Sequence, residues 1–166
     1  YSAPRIPRLI VIDKENGGKA DALNAGINVS RAPVFCSMDA DSILESDSLI
    51  RAVRPFIDDP GNVIAVGGTV RLANGSRIED GRVTEVRLPT NPLALFQVIE
   101  YLRAFLMARL AWSKLGTLTI ISGAFGLFRR APVIEVGGYQ RGTVGEDMEL
   151  VIKLHKYCRQ SKRPYR

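Results

Sequence analysis

The sequence predicts an α/β fold, a mostly parallel sheet with helices on both faces. Three observations lead there. Short continuous apolar runs recur at residues 9–12, 33–38 and 63–66, the pattern of strands buried on both faces. Segments with helical spacing separate them, at 19–29 and again after Ser46-Asp47. The resulting strand–helix–strand–helix–strand order is that of parallel strands joined by crossover helices.

Each element has a local reason. Leu9-Ile10-Val11-Ile12 is the first apolar run and passes into the polar, Gly-ended stretch Asp13-Lys14-Glu15-Asn16-Gly17-Gly18. The helix from Lys19 offers Ala20, Ala22, Leu23 and Ala25 to a core. The second strand, 33–38, ends at Asp39-Ala40-Asp41-Ser42. Ser46 or Asp47 can cap the next helix, whose Leu49, Ile50, Val53 and Ile57 follow helical spacing. The third strand, 63–66, closes at Gly67-Gly68. Residues 69–92 carry Asn74-Gly75, Asp80-Gly81, Pro89 and Pro92 and read as a surface connection.

Residues 93–115 form a long helix whose polar residues Gln97, Glu100 and Arg103 make one narrow stripe. So wide an apolar surface suits burial in a core, or contact with a membrane or partner; burial is the reading adopted, with Tyr101 and Trp112 as packing residues. Residues 117–128 are apolar and broken by Gly123 and Gly126, ahead of Arg129-Arg130. Glu146-Asp147 opens the last helix, with Leu150, Val151 and Leu154 inward.

The chain has 166 residues, 46% hydrophobic and 24% charged, in the range of an ordinary globular domain. Its net charge of +6 invites a nucleic-acid reading, but the excess is local. Lys153, Lys156, Arg159, Lys162, Arg163 and Arg166 stand in an acid-free 150–166 segment, leaving 17 basic and 17 acidic residues in the remainder. The body is electrically balanced, so no nucleic-acid partner is expected, and the basic tail reads as a solvated end. Two cysteines cannot form a disulfide framework; Cys36, in an apolar run, reads as a buried thiol and points to a reducing compartment. No signal peptide and no uninterrupted apolar span of transmembrane length is visible. The start at Tyr1 fits a piece of something longer.

Two polar motifs fall just past strands, where open α/β sheets bind ligands. Gly17-Gly18-Lys19 looks like the end of a P-loop, but Asp13 and Ala20 stand where that motif needs Gly and Ser or Thr. A nucleoside-triphosphatase is thereby excluded. A Gly turn with a Lys at a helix start can still hold a phosphate, or be a plain connection. Asp39-Ala40-Asp41 places two carboxylates at the crevice, a pair suited to a hard divalent cation that also meets substrate phosphates. The alternatives are a turn with a helix cap, or a haloacid-dehalogenase-type phosphohydrolase. The latter has its Asp-x-Asp on the first strand with Thr or Val following, whereas here Ser42 follows and a strand precedes. Glu146-Asp147 can complement a helix dipole or supply a general base. His155, the only histidine, reads as a packing or surface residue, and with one His and no Cys cluster a zinc site of the usual type is not expected. Arg129-Arg130 reads as a phosphate contact or an exposed strand end.

Taken together, the motifs resemble one family. They occur in order: Asn16-Gly17-Gly18-Lys19-Ala20-Asp21-Ala22-Leu23-Asn24-Ala25-Gly26, Asp39-Ala40-Asp41, Ser122-Gly123-Ala124-Phe125, Gly137-Gly138-Tyr139 and Gly145-Glu146-Asp147. The set is similar to the family 2 glycosyltransferases, within them the membrane-bound processive synthases of cellulose, chitin, hyaluronan and poly-N-acetylglucosamine. The resemblance implies a GT-A, Rossmann-like fold, a UDP-sugar donor and inversion at the anomeric carbon. By it, Asp39 and Asp41 form the donor motif and hold Mg²⁺ or Mn²⁺, with Asp41 the nearer to the metal and Asp39 to the nucleotide. Lys19 approaches the diphosphate, and Asp147 is the base that deprotonates the acceptor. Ser122, Gly123, Ala124 and Glu146 lie on the acceptor side. Gly145 stands where the family has Thr.

The family's first strand and its Gln-x-x-Arg-Trp motif have no counterpart in the chain, so the resemblance implies one partial catalytic domain, incomplete at both ends. Residues 1–68 are its nucleotide-sugar half and 69–166 its acceptor half. A glycan acceptor, membrane attachment through segments outside this chain, and action at the cytoplasmic face follow by the same resemblance. A non-catalytic truncated module is the competing expectation.

Overall fold

The computed structural model describes residues 9–162 and 164–166. Helix α1 (Lys19–Val29) and strand β1 (Val34–Met38) come where the sequence puts them. Helix α2 spans Ser48–Asp58, and strand β2 spans Ala65–Gly67. Asp47 is the N-cap residue of α2 but makes no side-chain cap; its carboxylate accepts from Arg51 instead, at 2.6 Å. The connection holds a hairpin, β3 (Arg77–Glu79) and β4 (Arg82–Glu85). Asp80 and Gly81 join them at φ 49° and 72°, the positive values of the tight turn that Asp-Gly encodes.

Strand β5 (Phe125–Arg129) organises the rest. It lies between β1 and β2 and is antiparallel to both, with Met38 opposite Phe125 and Gly67 opposite Gly126. The mostly parallel sheet is therefore not what the described strands form. β1 and β2 do share a direction, but β5 separates them. Its sequence, Phe-Gly-Leu-Phe, is buried at all four positions, as the central strand of a covered sheet requires. The expected strand at 9–12 is exposed and joins no ladder among the described residues, since an apolar run becomes a strand only beside a hydrogen-bonding edge.

Alternation along β5 builds two cores. Phe128 joins Ile27 of α1, Val133 of α5 (Arg130–Glu135) and Leu150, Val151 and Leu154 of α6 (Glu146–Gln160). Phe125 and Leu127 join Ala52 and Phe56 of α2, with Val63. Helices thus cover both faces, as expected. Cys36 is exposed and Cys158 buried, the reverse of the expected burial for Cys36. Cover on that face of β1 reaches Val34 but leaves Met38 exposed.

The basic segment is not a solvated end. Most of it is α6, and its terminus returns to the sheet. Ile64 N–H donates to Arg166 O and Arg166 N–H to Asn62 O, both at 2.8 Å, in the spacing of a parallel bridge. Tyr165 Oη lies 2.8 Å from His155 Nδ1, and His155 Nε2 lies 2.7 Å from Leu118 O. A carbonyl only accepts, so Nε2 donates and Nδ1 accepts from the phenol. His155 is a packing residue held at both nitrogens; Arg163 lies outside the described residues.

The long helix departs most from expectation. It runs as α3 (Pro92–Leu102), a π-helical segment (Arg103–Ala108) and α4 (Arg109–Lys114). Asn91 Oδ1 caps it by accepting from Leu93 N and Ala94 N. None of its residues is buried; Phe96 and Met107 are about 70% exposed, and Tyr101 and Trp112 also face out. An apolar helix calls for cover, but its composition does not say what supplies it. Among the described residues, no helix is long and apolar enough to cross a membrane.

Candidate active site

Both motifs singled out past strands meet at one end of the sheet. The β1–β5 register places Met38 opposite Phe125, so Asp39 and the turn 122–124 emerge side by side. Lys19 opens α1 at the same end. Its Nζ donates to Asp39 Oδ1 at 2.7 Å and lies 3.9 Å from Glu146 Oε1. Burial alone would lower its pKa, but the Asp39 hydrogen bond and the charges of Asp147, Asp39 and Glu146 outweigh that and raise it above 10.5. Lys19 is therefore a fixed cation ringed by three carboxylates from two elements.

Asp147 is half-buried in the first turn of α6. Burial raises its pKa above 3.8, with Glu146 and Asp39 adding to the rise, while Lys19 and the Gly123 amide oppose it. Gly123 is buried, and a Cβ there would overlap both the Asp147 carboxylate and Lys19 Nζ. The glycine is what lets carboxylate, ammonium and backbone converge.

The remaining expected residues take distinct places. Asp41 is exposed and takes no ion pair among the described residues. Ser122 Oγ accepts from Ala124 N at 3.4 Å and Ser122 O from Phe125 N at 3.2 Å, a tight turn that feeds β5. Lys19, Asp39, Gly123, Glu146 and Asp147 are thus brought together, with Ser122 and Ala124 on one turn and Asp41 on the turn that follows Asp39. Among the described residues, no three His, Cys, Asp or Glu form a metal-holding group. Asp39 and Asp41 alone suit a cation that keeps waters and substrate phosphates as its other ligands.

Arg129 and Arg130 do not face this site. Arg129 Nε donates to Val63 O at 2.6 Å, and Arg130 Nε to Ile27 O at 2.8 Å, so both tie loops and helix ends to β5. The residues that sequence reasoning did not single out are Asp21, Asn24, Tyr139 and Arg141. Asp21, Asn24 and Tyr139 sit within the ordered motifs, and Arg141 carries no sequence signal. Tyr139 is 3% exposed, and burial pushes its hydroxyl up to about 12, with Asp147 and Glu146 adding to the rise.

Lys19, the Asp39 carboxylate and the Glu146-Asp147 pair that opens α6 thus meet at one end of an α/β sheet. The sequence pattern of glycosyl transferase family 2 matches residues 1–137, and the chain belongs to that family. Family membership implies the GT-A fold, with which the α/β architecture agrees. The chain is 32% identical over 142 residues to the poly-β-1,6-N-acetyl-D-glucosamine synthase of Staphylococcus aureus strain COL, covering 86% of this chain and 31% of the relative. The synthase of the same name from Staphylococcus epidermidis is 30% identical over the same shares. The chain therefore spans about a third of the length of these curated relatives.

Proposed function

We propose that the chain supplies catalytic residues of an inverting glycosyltransferase that extends a glycan from a UDP-sugar. In this reading residues 1–68 serve the donor and 69–166 the acceptor. The observation that carries it is Lys19, which holds Asp39 of the donor motif and faces Glu146-Asp147 of the acidic pair within one site. Inversion needs charge stabilisation at the leaving diphosphate and a base on the opposite side of the sugar.

The roles divide accordingly. The acceptor hydroxyl oxygen forms the new bond to the anomeric carbon as the bond to the diphosphate oxygen breaks. Asp147 takes the hydroxyl proton, and UDP departs with the electron pair. Lys19 meets the diphosphate charge, while Ser122, Gly123, Ala124 and Glu146 border the acceptor. Asp39 and Asp41 would hold Mg²⁺ or Mn²⁺, which supplies electrostatic stabilisation of the leaving group when bound. The names of the relatives make UDP-N-acetylglucosamine the first donor to test and a β-1,6-linked polymer the first product. Work at the cytoplasmic face of a membrane, with attachment outside these residues, belongs to the same proposal.

The test is paired. Titrating the protein with UDP and Mn²⁺ by calorimetry should give saturable binding that Asp41→Ala abolishes. Asp147→Asn should bind UDP as the wild type does while transfer falls by about 10²–10⁴-fold. Transfer at the wild-type rate by Asp147→Asn would remove the base assignment, and absence of UDP binding would favour a non-catalytic module.

A further inference from the structure

The face of α1 next to Lys19 is occupied by polar groups that reach across to the segment leading into α6. Asp21, 6% exposed, receives Lys14 on one carboxylate oxygen and Arg141 on the other. Lys14, with Arg141 adding to it, holds the Asp21 carboxyl below its ordinary value. One turn further, Asn24 clamps the Tyr139 backbone, bonding the peptide groups on both sides of its Cα. Its Nδ2 donates to Tyr139 O at 2.8 Å, and its Oδ1 accepts from Tyr139 N at 2.9 Å. Gly138 makes the clamp fit, since its φ is 67° and a Cβ there would overlap Asn24 Oδ1.

These contacts do more than satisfy polar groups. Lys14 already neutralises Asp21, and the Arg141 side chain is mostly exposed, so Arg141 adds a tether and little burial. The tethered segment runs from Tyr139, 3% exposed in the core, to Glu146 at the start of α6. Lys19, Asp21 and Asn24 share one rigid stretch of helix. Fixing residues 139–141 to that stretch fixes where the α6 N-terminus arrives against Lys19.

We propose that Asp21, Asn24 and Arg141 form a latch that sets the spacing between Lys19 and the Glu146–Asp147 pair, and that they are positioning residues for the transfer step. The inference rests on the reading of Asp147 as the base. Misplacing a base by about 1 Å costs up to about 10²-fold in rate without touching donor affinity.

The test compares Arg141→Ala and Arg141→Lys with the wild type, because Arg141 is exposed and its loss should leave the cores intact. Arg141→Ala should lower kcat by about 10–100-fold while donor KM stays within about twofold. Arg141→Lys should recover most of kcat, and the thermal midpoint should hold within a few degrees. Unchanged kcat, a loss carried by donor KM, or a fall in kcat that tracks a fall in midpoint and is not recovered by Lys would overturn the latch. Hydrogen exchange gives a readout free of turnover. In Arg141→Ala, amides of residues 140–147 should exchange faster while those of α1 keep their protection; unchanged exchange at 140–147 would overturn it. If the wild type transfers no sugar, the proposed function fails, and the exchange result alone decides the latch.

Discussion

Lys19 and Asp39 lie twenty positions apart in the chain and 2.7 Å apart in space, one opening a helix and the other just past a strand. Asp39 alone would present a bare carboxylate past the end of β1, and the lysine offsets that charge within a site that also holds Glu146 and Asp147. The same ammonium also moderates Asp147, so one side chain acts on both halves of the proposed reaction.

Lys19→Met keeps most of the side-chain length and removes the charge. Loss of a charge-assisted contact to phosphate should weaken UDP binding by about 10-fold or more, since such hydrogen bonds are worth about 1.5–3 kcal/mol. Calorimetric titration with UDP checks this. Affinity equal to the wild type would mean that the lysine serves Asp39 and not the donor.

Gly123→Ala tests the convergence point. The added methyl overlaps Asp147 and Lys19, both ends of side chains that can swing away, so the fold should survive. Stability should change by less than about 1 kcal/mol by urea titration, inside the range of substitutions that leave the core alone. Transfer should fall by about 10²-fold, because the base is displaced from its working position. A variant with full activity would show that the close approach at Gly123 is incidental.

Local signals in the sequence were legible where a short stretch carries its own cause. The helix at 19–29, the strand before Asp39 and the helix opening at Glu146 all came from caps, apolar runs and polar breaks. The ordered motifs also brought Lys19, Asp39 and Asp147 to notice before any geometry. What periodicity could not supply was pairing. Nothing within 125–129 says that it lies between β1 and β2, or that it runs against both. The strand expected at 9–12 and the burial expected of the 93–115 helix failed for the same reason: apolarity states a demand for cover and not its source. The latch was hidden because Asp21 and Arg141 are 120 residues apart, and a charge in a loop carries no mark of its partner.

Leu150 is fully buried, one turn after Asp147, in the core shared by α1, β5 and α6. Leu150→Ala should destabilise the fold by about 2–5 kcal/mol, the range for an internal leucine truncated to alanine. Urea denaturation checks the figure. A loss under about 1 kcal/mol would show that this core collapses readily around the cavity and that α6 is loosely seated.

The pH dependence of transfer follows from Asp147. Its pKa is raised above 3.8, chiefly by burial, so it loses its proton at a higher pH than an exposed aspartate. A base works only when deprotonated, so kcat/KM should rise with pH through that raised value and its acidic limb should stand above 3.8. Lys19 opposes the rise, so Lys19→Met should move the limb to still higher pH among whatever activity remains. The stability effect has the opposite sense. A carboxyl whose folded pKa exceeds its unfolded one binds its proton more tightly in the fold. Ionised Asp147 therefore costs stability at neutral pH, and that cost is relieved as pH falls through the folded pKa. Asp147→Asn removes the ionisation, so it should be at least as stable as the wild type at pH 7 while lacking transfer. A limb at or below 3.8, or one that moves down in Lys19→Met, would mean that another group governs the rate.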